Sequence, residues 1–231
     1  MNNTFSQNNL TKKELSWGIR YLLFQTVFLS RLLVLVNRLF PVPLSEVWLN
    51  FAFFSINLGA ALWILHRFLK GFFPITCKQL FRILWVGILF FVANQALSRI
   101  LGLLLSYAAK GFANINDQSI AALVRENFPL MAIGTVIFVP IAEECFFRGV
   151  LFRGIYQHAP WAAWVISVAL FGFLHVMNYI GAFPPLTLLL CFLQYIPAGI
   201  CLAAAYRLSG SLLCPILIHA AVNAVGILHM R

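Results

Sequence analysis

The chain has 231 residues, 62% of them apolar and only 10% charged, with a formal net charge of +10. A soluble domain carries about 25% charged residues and a chain of this size still needs a polar surface against water, so the composition excludes a soluble globular domain. Nor does the positive charge mark a nucleic-acid partner: Lys and Arg sit mostly at the ends of apolar runs, as in loops that face anionic lipid.

The fold class expected is all-α, a polytopic transmembrane bundle of about seven spanning helices, since a span needs roughly 17–25 apolar residues. Residues 1–16 form a polar tail, Asn-rich and uncharged up to Leu10, then carrying Lys12 and Lys13. No small-residue cleavage site follows at signal-peptide distance, so the first helix reads as retained. It covers about Trp17–Phe40 and holds Arg20, Arg31 and Arg38; with that charge it either spans or lies in the interface. Pro41 and Pro43 end it, because proline lacks the N–H that a continuing helix needs. The second span covers about Val47–His66, and a loop at Gly71 and Pro74 leads to the third, about Ile83–Tyr107.

Residues 110–127 make one long polar connection, with Asn114, Asn116, Asp117, Arg125 and Glu126. It reads as a solvated linker, or else as a lid over a substrate. The fourth span starts near Pro129 and has to run to about Tyr156. The fifth covers Pro160 to about Ile180, and Gly181, Pro184 and Pro185 turn the chain into the sixth, to about Tyr206. After Ser209-Gly210-Ser211 the seventh runs about Leu212–His229. Residues 17–128 thus form a set of N-terminal membrane helices, and 129–229 a second set that carries the chemistry. The basic loop Arg67, Lys70, Lys78, Arg82 places the N-terminus inside, with the Pro41–Glu46 and Gly181–Pro185 turns outside.

A charged carboxylate in mid-membrane costs at least ~2.5 kcal/mol and needs a partner or a purpose. The fourth span holds Glu143, Glu144 and Arg148 inside an apolar stretch. Glu144 and Arg148, four apart, share a helix face and read as an ion pair; Glu143 points about 100° away and is left for chemistry as a general base. Phe171 and His175 are four apart in the fifth span, as are His219 and Asn223 in the seventh. Measured from the turn near His158, Glu143 and His175 lie roughly 22 and 26 Å deep, so the three patches can line one cavity. Each also has a structural reading: an ion-pair cluster locking helices, a hydrogen-bonded core histidine, a polar bridge between helices. Cys145 reads as a small hydrophobe. The five cysteines form no ligand or disulfide pattern, an HExxH zinc helix and a GxSxG elbow are absent, and Asp117 is the single aspartate, so an aspartyl dyad cannot form.

Glu143-Glu144-Cys145-Phe146-Phe147-Arg148, Phe171-Gly172-Phe173-Leu174-His175 and His219-Ala220-Ala221-Val222-Asn223 resemble, in order and spacing, the EExxxR, FxxxH and HxxxN signatures of the CPBP family (CAAX protease and bacteriocin-processing, also called Abi). The resemblance implies an intramembrane glutamic endopeptidase. Glu143 and His175 would activate water, His219 and Asn223 would stabilise the oxyanion, Glu144 and Arg148 would hold the site in shape, and Phe171 would pack against it. The substrate would be a peptide or lipidated peptide met in the lipid bilayer, with no cofactor. One alternative is a Zn²⁺ protease using Glu143, His175 and His219 as ligands. The others are a non-catalytic immunity protein and a transporter. Compact size and short loops favour a bacterial member, hence a multi-pass protein of a bacterial cytoplasmic membrane.

Overall fold

The computed structural model describes residues 10–231, so most of the polar tail lies outside the described residues. Eight principal helices follow in chain order: α1 (Lys12–Asn37), α2 (Glu46–Ile64), α3 (Cys77–Ala108), α4 (Ile115–Glu126), α5 (Phe128–Tyr156), α6 (Pro160–Leu174), α7 (Pro185–Ser209) and α8 (Leu213–Met230). All but α4 and α6 are long and apolar enough to cross a membrane. The protein is a polytopic helical bundle, with one fewer full-length span than the seven expected.

Local chemistry sets the helix ends. Thr11 caps α1 in a reciprocal box with Glu14, and Thr76 does the same for α3 with Gln79. Asn37 closes α1 earlier than Phe40: its side chain bonds both the N–H and the carbonyl of Leu44, at 2.8 and 3.0 Å. Gly210 ends α7 in the left-handed region at φ 73, which costs glycine little.

The first helix packs against the bundle. Glu14 is buried and also accepts the Phe68 backbone N–H, at 2.8 Å. Tyr21 stacks on Phe146 of α5, with ring centroids 5.0 Å apart. Gly18 permits this approach, since a Cβ there would sit 2.7 Å from Val150 Cγ2. The arginines lie on the exposed side of α1, where Arg31 bonds the Val27 carbonyl and Arg20 lies over Trp17.

α5 is the central helix. Half of its most apolar stretch is buried, against 11% for α1 and for α3. Phe146, Phe147, Val150 and Phe152 form the core with Leu65, Ala203, Tyr206 and Leu212. Its helical hydrogen bonding widens to π type at Gly134–Phe138 and again at Cys145–Phe152. Pro140 has no N–H to place in the first of these turns, and Val139 bonds the carbonyl five residues back, that of Gly134. As required, α5 runs unbroken to Tyr156.

Two expectations need correction. The helix expected to reach Ile180 stops at Leu174 and gives way to a single 3₁₀ turn, Met177–Tyr179. Irregular backbone at that depth is tolerated where it lines a cavity, and Met177 and Asn178 do so. The sixth span is present as expected, over Pro185–Ser209, with its helical hydrogen bonding interrupted at Tyr195, two residues before Pro197. Residues 110–127 are not a solvated linker: Asn114 caps the amphipathic helix α4, which buries Ile115, Leu123 and Val124.

Candidate active site

α5, α6 and α8 deliver the motif residues, and the breaks just described bring further groups beside them. One cavity of about 900 Å³ is lined by Glu143, His175, His219 and Asn223 together. Glu143 and Glu144 occupy the short regular stretch Val139–Glu144 between the two π-type turns. Adjacent on the helix, they face different surroundings. Glu144 is fully buried, while Glu143 lies at the cavity wall; in both, Oε2 is buried and without a protein hydrogen-bond partner.

The expected pair exists: Arg148 Nη1 donates to Glu144 Oε1 at 3.0 Å, with both side chains at 0% exposure. Arg148 also donates from Nη2 to the Gly199 carbonyl of α7 (3.3 Å) and lies over the Phe171 ring, 4.5 Å from its centroid. The same Glu144 oxygen is 2.8 Å from His219 Nδ1. Glu144 is therefore the hinge of a charge chain Arg148–Glu144–His219 that ties α5 to α8. The sequence reading found the i,i+4 half of that chain but not the contact across 75 residues.

His175 caps the C-terminus of α6. Its Nδ1 faces the Phe171 carbonyl at 2.8 Å and must donate to it. In the neutral ring Nε2 is then the acceptor. The ring is held between Phe171 (centroids 4.8 Å) and Tyr195 (4.0 Å, nearly parallel). Phe171 also meets His219 (6.0 Å) and Phe147 (5.4 Å), so one aromatic ring spaces both histidines and the buried arginine.

Asn223 donates from Nδ2 to the Thr135 carbonyl at 2.8 Å. That carbonyl lies in the π-type turn where the next N–H in register would be that of Pro140, which has none. Asn223 thus satisfies a backbone group that proline leaves open, and keeps its second Nδ2 hydrogen.

A second group was not foreseen. Asp117 of α4 accepts from the Tyr195 hydroxyl at 3.5 Å, Asn116 donates to that hydroxyl at 3.0 Å, and Asn114 donates to Gln194 at 2.6 Å. Asp117 is exposed where it opens onto the cavity. Loss of bulk water pushes its carboxyl up, against the opposing pull of His175 and the Tyr195 hydroxyl. Pro197 signalled the break that exposes Tyr195; polar Asn57 and Asn94, inside α2 and α3, signalled further walls of the same cavity. Cys145 is buried at 0% exposure, as a small hydrophobe is. Among the described residues, no three His, Cys, Asp or Glu side chains group closely enough to hold a metal ion.

Residues 125–225 match the family model described as Rce1-like, type II CAAX prenyl endopeptidase Rce1-like. All three motifs fall inside the matched stretch, and α1 to α4 lie almost wholly before it. No curated protein and no solved structure matches the chain.

Proposed function

Starting from a multi-pass membrane protein whose C-terminal helices carry a CAAX-type protease segment of the Rce1-like kind, we propose that the chain is an intramembrane endopeptidase in which Glu143 and His175 activate water without a metal. The observation that carries this reading is the convergence of Glu143, His175, His219 and Asn223 on one cavity, with Glu143 Oε2 buried and unpartnered. A buried carboxylate oxygen needs a polar partner, and water in that position is held between a base and the Nε2 of His175.

The steps follow from the groups. Water attacks the scissile carbonyl carbon as its proton passes to Glu143. His175 Nε2 accepts the second hydrogen bond of the same water and fixes its direction. The oxyanion takes the free Nδ2 hydrogen of Asn223. His219 serves as a donor there only when Nε2 also carries a proton, and the ring is then an imidazolium ion-paired with Glu144. As the C–N bond breaks, Glu143 returns its proton to the leaving amine.

The cavity suits a lipidated peptide at a bilayer. Leu33, Val34, Phe53 and Phe54 form an apolar side between α1 and α2, while α3, α4 and α7 contribute Asn and Gln. We place the protein in a bacterial cytoplasmic membrane on its compact size and short loops.

The test is cleavage of lipidated and unlipidated peptides by purified wild type and Glu143→Gln, each with and without chelator. Loss of the base lowers the rate by a factor on the order of 10²–10⁴, and chelator changes nothing. Equal rates for the two proteins would end the proposal; inhibition by chelator would restore the zinc alternative.

A further inference from the structure

Arg31 is exposed on α1 among exposed Val27, Phe28, Leu32 and Leu35. It does not line the active-site cavity, to which α1 turns Gln25, Thr26, Ser30 and Leu33. With α1 as a span, exposure there is exposure to acyl chains. Trp17 and Asn37 stand about 30 Å apart along the helix, one hydrocarbon thickness, and exposed Trp48 in the first turn of α2 marks the interface at the Asn37 end. Arg31 is then roughly 9 Å inside that interface. An arginine near a helix end ordinarily snorkels to water. Side chains on a helix lean towards its N-terminus, however, and the Arg31 guanidinium turns back to the Val27 carbonyl, away from the nearer interface. A charge held there needs a counter-charge and locally thinned lipid to deliver it.

Arg38 follows two turns later, within about 20° of the same face, and is also exposed. With Ser30, Val34 and Leu35 the two arginines line a separate groove of about 380 Å³. Arg31 stands at its inner end and Arg38 at the interface. Neither forms an ion pair among the described residues, and Glu46, the next acid in the sequence, lines the active-site cavity instead. The groove thus joins two guanidiniums, a hydroxyl and two aliphatic side chains. That set matches a phosphodiester with acyl chains attached. A carboxylate on a neighbouring helix would answer Arg31 alone, whereas Arg38 lies where headgroups are.

We infer that this groove binds one anionic phospholipid from the leaflet at the Asn37 end of α1. Its phosphate is drawn inward to Arg31, Arg38 meets the headgroup, and the acyl chains lie against Val34 and Leu35. Arginine suits the task because its planar fork meets two phosphate oxygens at once. A zwitterionic lipid offers the same oxygens, but its own ammonium group offsets their charge, so the anionic lipid is preferred. The site is independent of the protease chemistry and stands or falls without it.

The test titrates the delipidated full-length protein, in non-ionic detergent, with phosphatidylglycerol or phosphatidylcholine of the same acyl chains. Native mass spectrometry counts the lipids bound and gives their Kd. Wild type binds one phosphatidylglycerol more tightly than phosphatidylcholine by a factor on the order of 10. Arg31→Gln loses that preference, and so does Arg31→Leu, which acyl chains accommodate; Arg31→Lys keeps part of it. Arg20→Gln, at the other end of α1, leaves it unchanged, and thermal unfolding checks that each variant folds. No preference in wild type overturns the assignment, as does a preference that survives both Arg31→Gln and Arg31→Leu. An equal loss in Arg20→Gln would mean diffuse attraction without a site, and also overturns it. Displacement of the lipid by millimolar inorganic phosphate would make the ligand a free anion, which overturns the lipid. Dimers of wild type that vanish in Arg31→Gln, with no lipid preference, would make this face a helix contact and overturn it equally.

Discussion

At the scale of single residues, the chain Arg148–Glu144–His219 concentrates the energetic risk. Its ion pair is fully buried, and removing one member of such a pair leaves an uncompensated charge at about 3–5 kcal/mol. Arg148→Met should therefore lower thermal stability in detergent by that order, whereas the same change combined with Glu144→Gln should recover most of it. Asn223→Ala should reduce kcat by a factor on the order of 10²–10³ through the lost oxyanion donor. It should also cost about 1–3 kcal/mol of stability, since the Thr135 carbonyl then lacks its partner. Both effects are read from steady-state kinetics and unfolding of the same preparation. The carboxylates and histidines were legible in the sequence because lipid makes each of them conspicuous. The bond from Glu144 to His219 was not, because nothing in local spacing tells which of two adjacent glutamates a distant helix will meet.

At the scale of elements, two glycine and proline effects govern how helices meet. Val150 is β-branched and stiff, so the side chain that crowds position 18 cannot swing away. Gly18→Ala should cost about 1–3 kcal/mol by overpacking, and Val150→Ala in the same protein should relieve it; both are measured by thermal unfolding. α4 carries a pH dependence. Displacement of bulk water by neighbouring protein pushes the exposed Asp117 carboxyl up, so folding is favoured while it is protonated, and that contribution is lost as pH rises through the raised value. Amide exchange of α4 should accordingly quicken from acid towards neutral pH beyond the intrinsic trend. In Asp117→Asn, neutral throughout, the extra quickening should vanish. The helix α4 itself escaped the sequence reading because its many polar residues resemble a linker; the signal that could have found it is the Asn114 cap at its start. The interruption of α7 at Tyr195 went unread as well: Pro197 is the signal that could have marked it, but nothing in the sequence says that Tyr195 would land on His175.

For the whole molecule, orientation follows from the distribution of charge. Cys77 is exposed at the start of α3, beside the basic loop, and the other four cysteines are buried. If that loop faces the cytoplasm, an impermeant thiol reagent should label the protein only after the cells are opened, and labelling should disappear in Cys77→Ser. Labelling of intact cells would reverse the orientation. The bundle and the approximate number of spans were legible because hydropathy reports length directly. The shared cavity was legible only as a permissive match of depths, since tilt and helix breaks decide which faces meet.

The shortness of α6 has a consequence for the bilayer around it. Fifteen residues make about 22 Å of helix, against a hydrocarbon thickness of about 30 Å. A bilayer that thins beside His175 would meet it, since hydrophobic mismatch costs fractions of a kcal/mol per Å. A thinned membrane would bring headgroups and water closer to the bond being cut. Proteoliposomes of increasing acyl length, from 14 to 22 carbons, should show falling turnover as that thinning becomes harder; a flat profile would mean that the protein, and not the lipid, fills the gap.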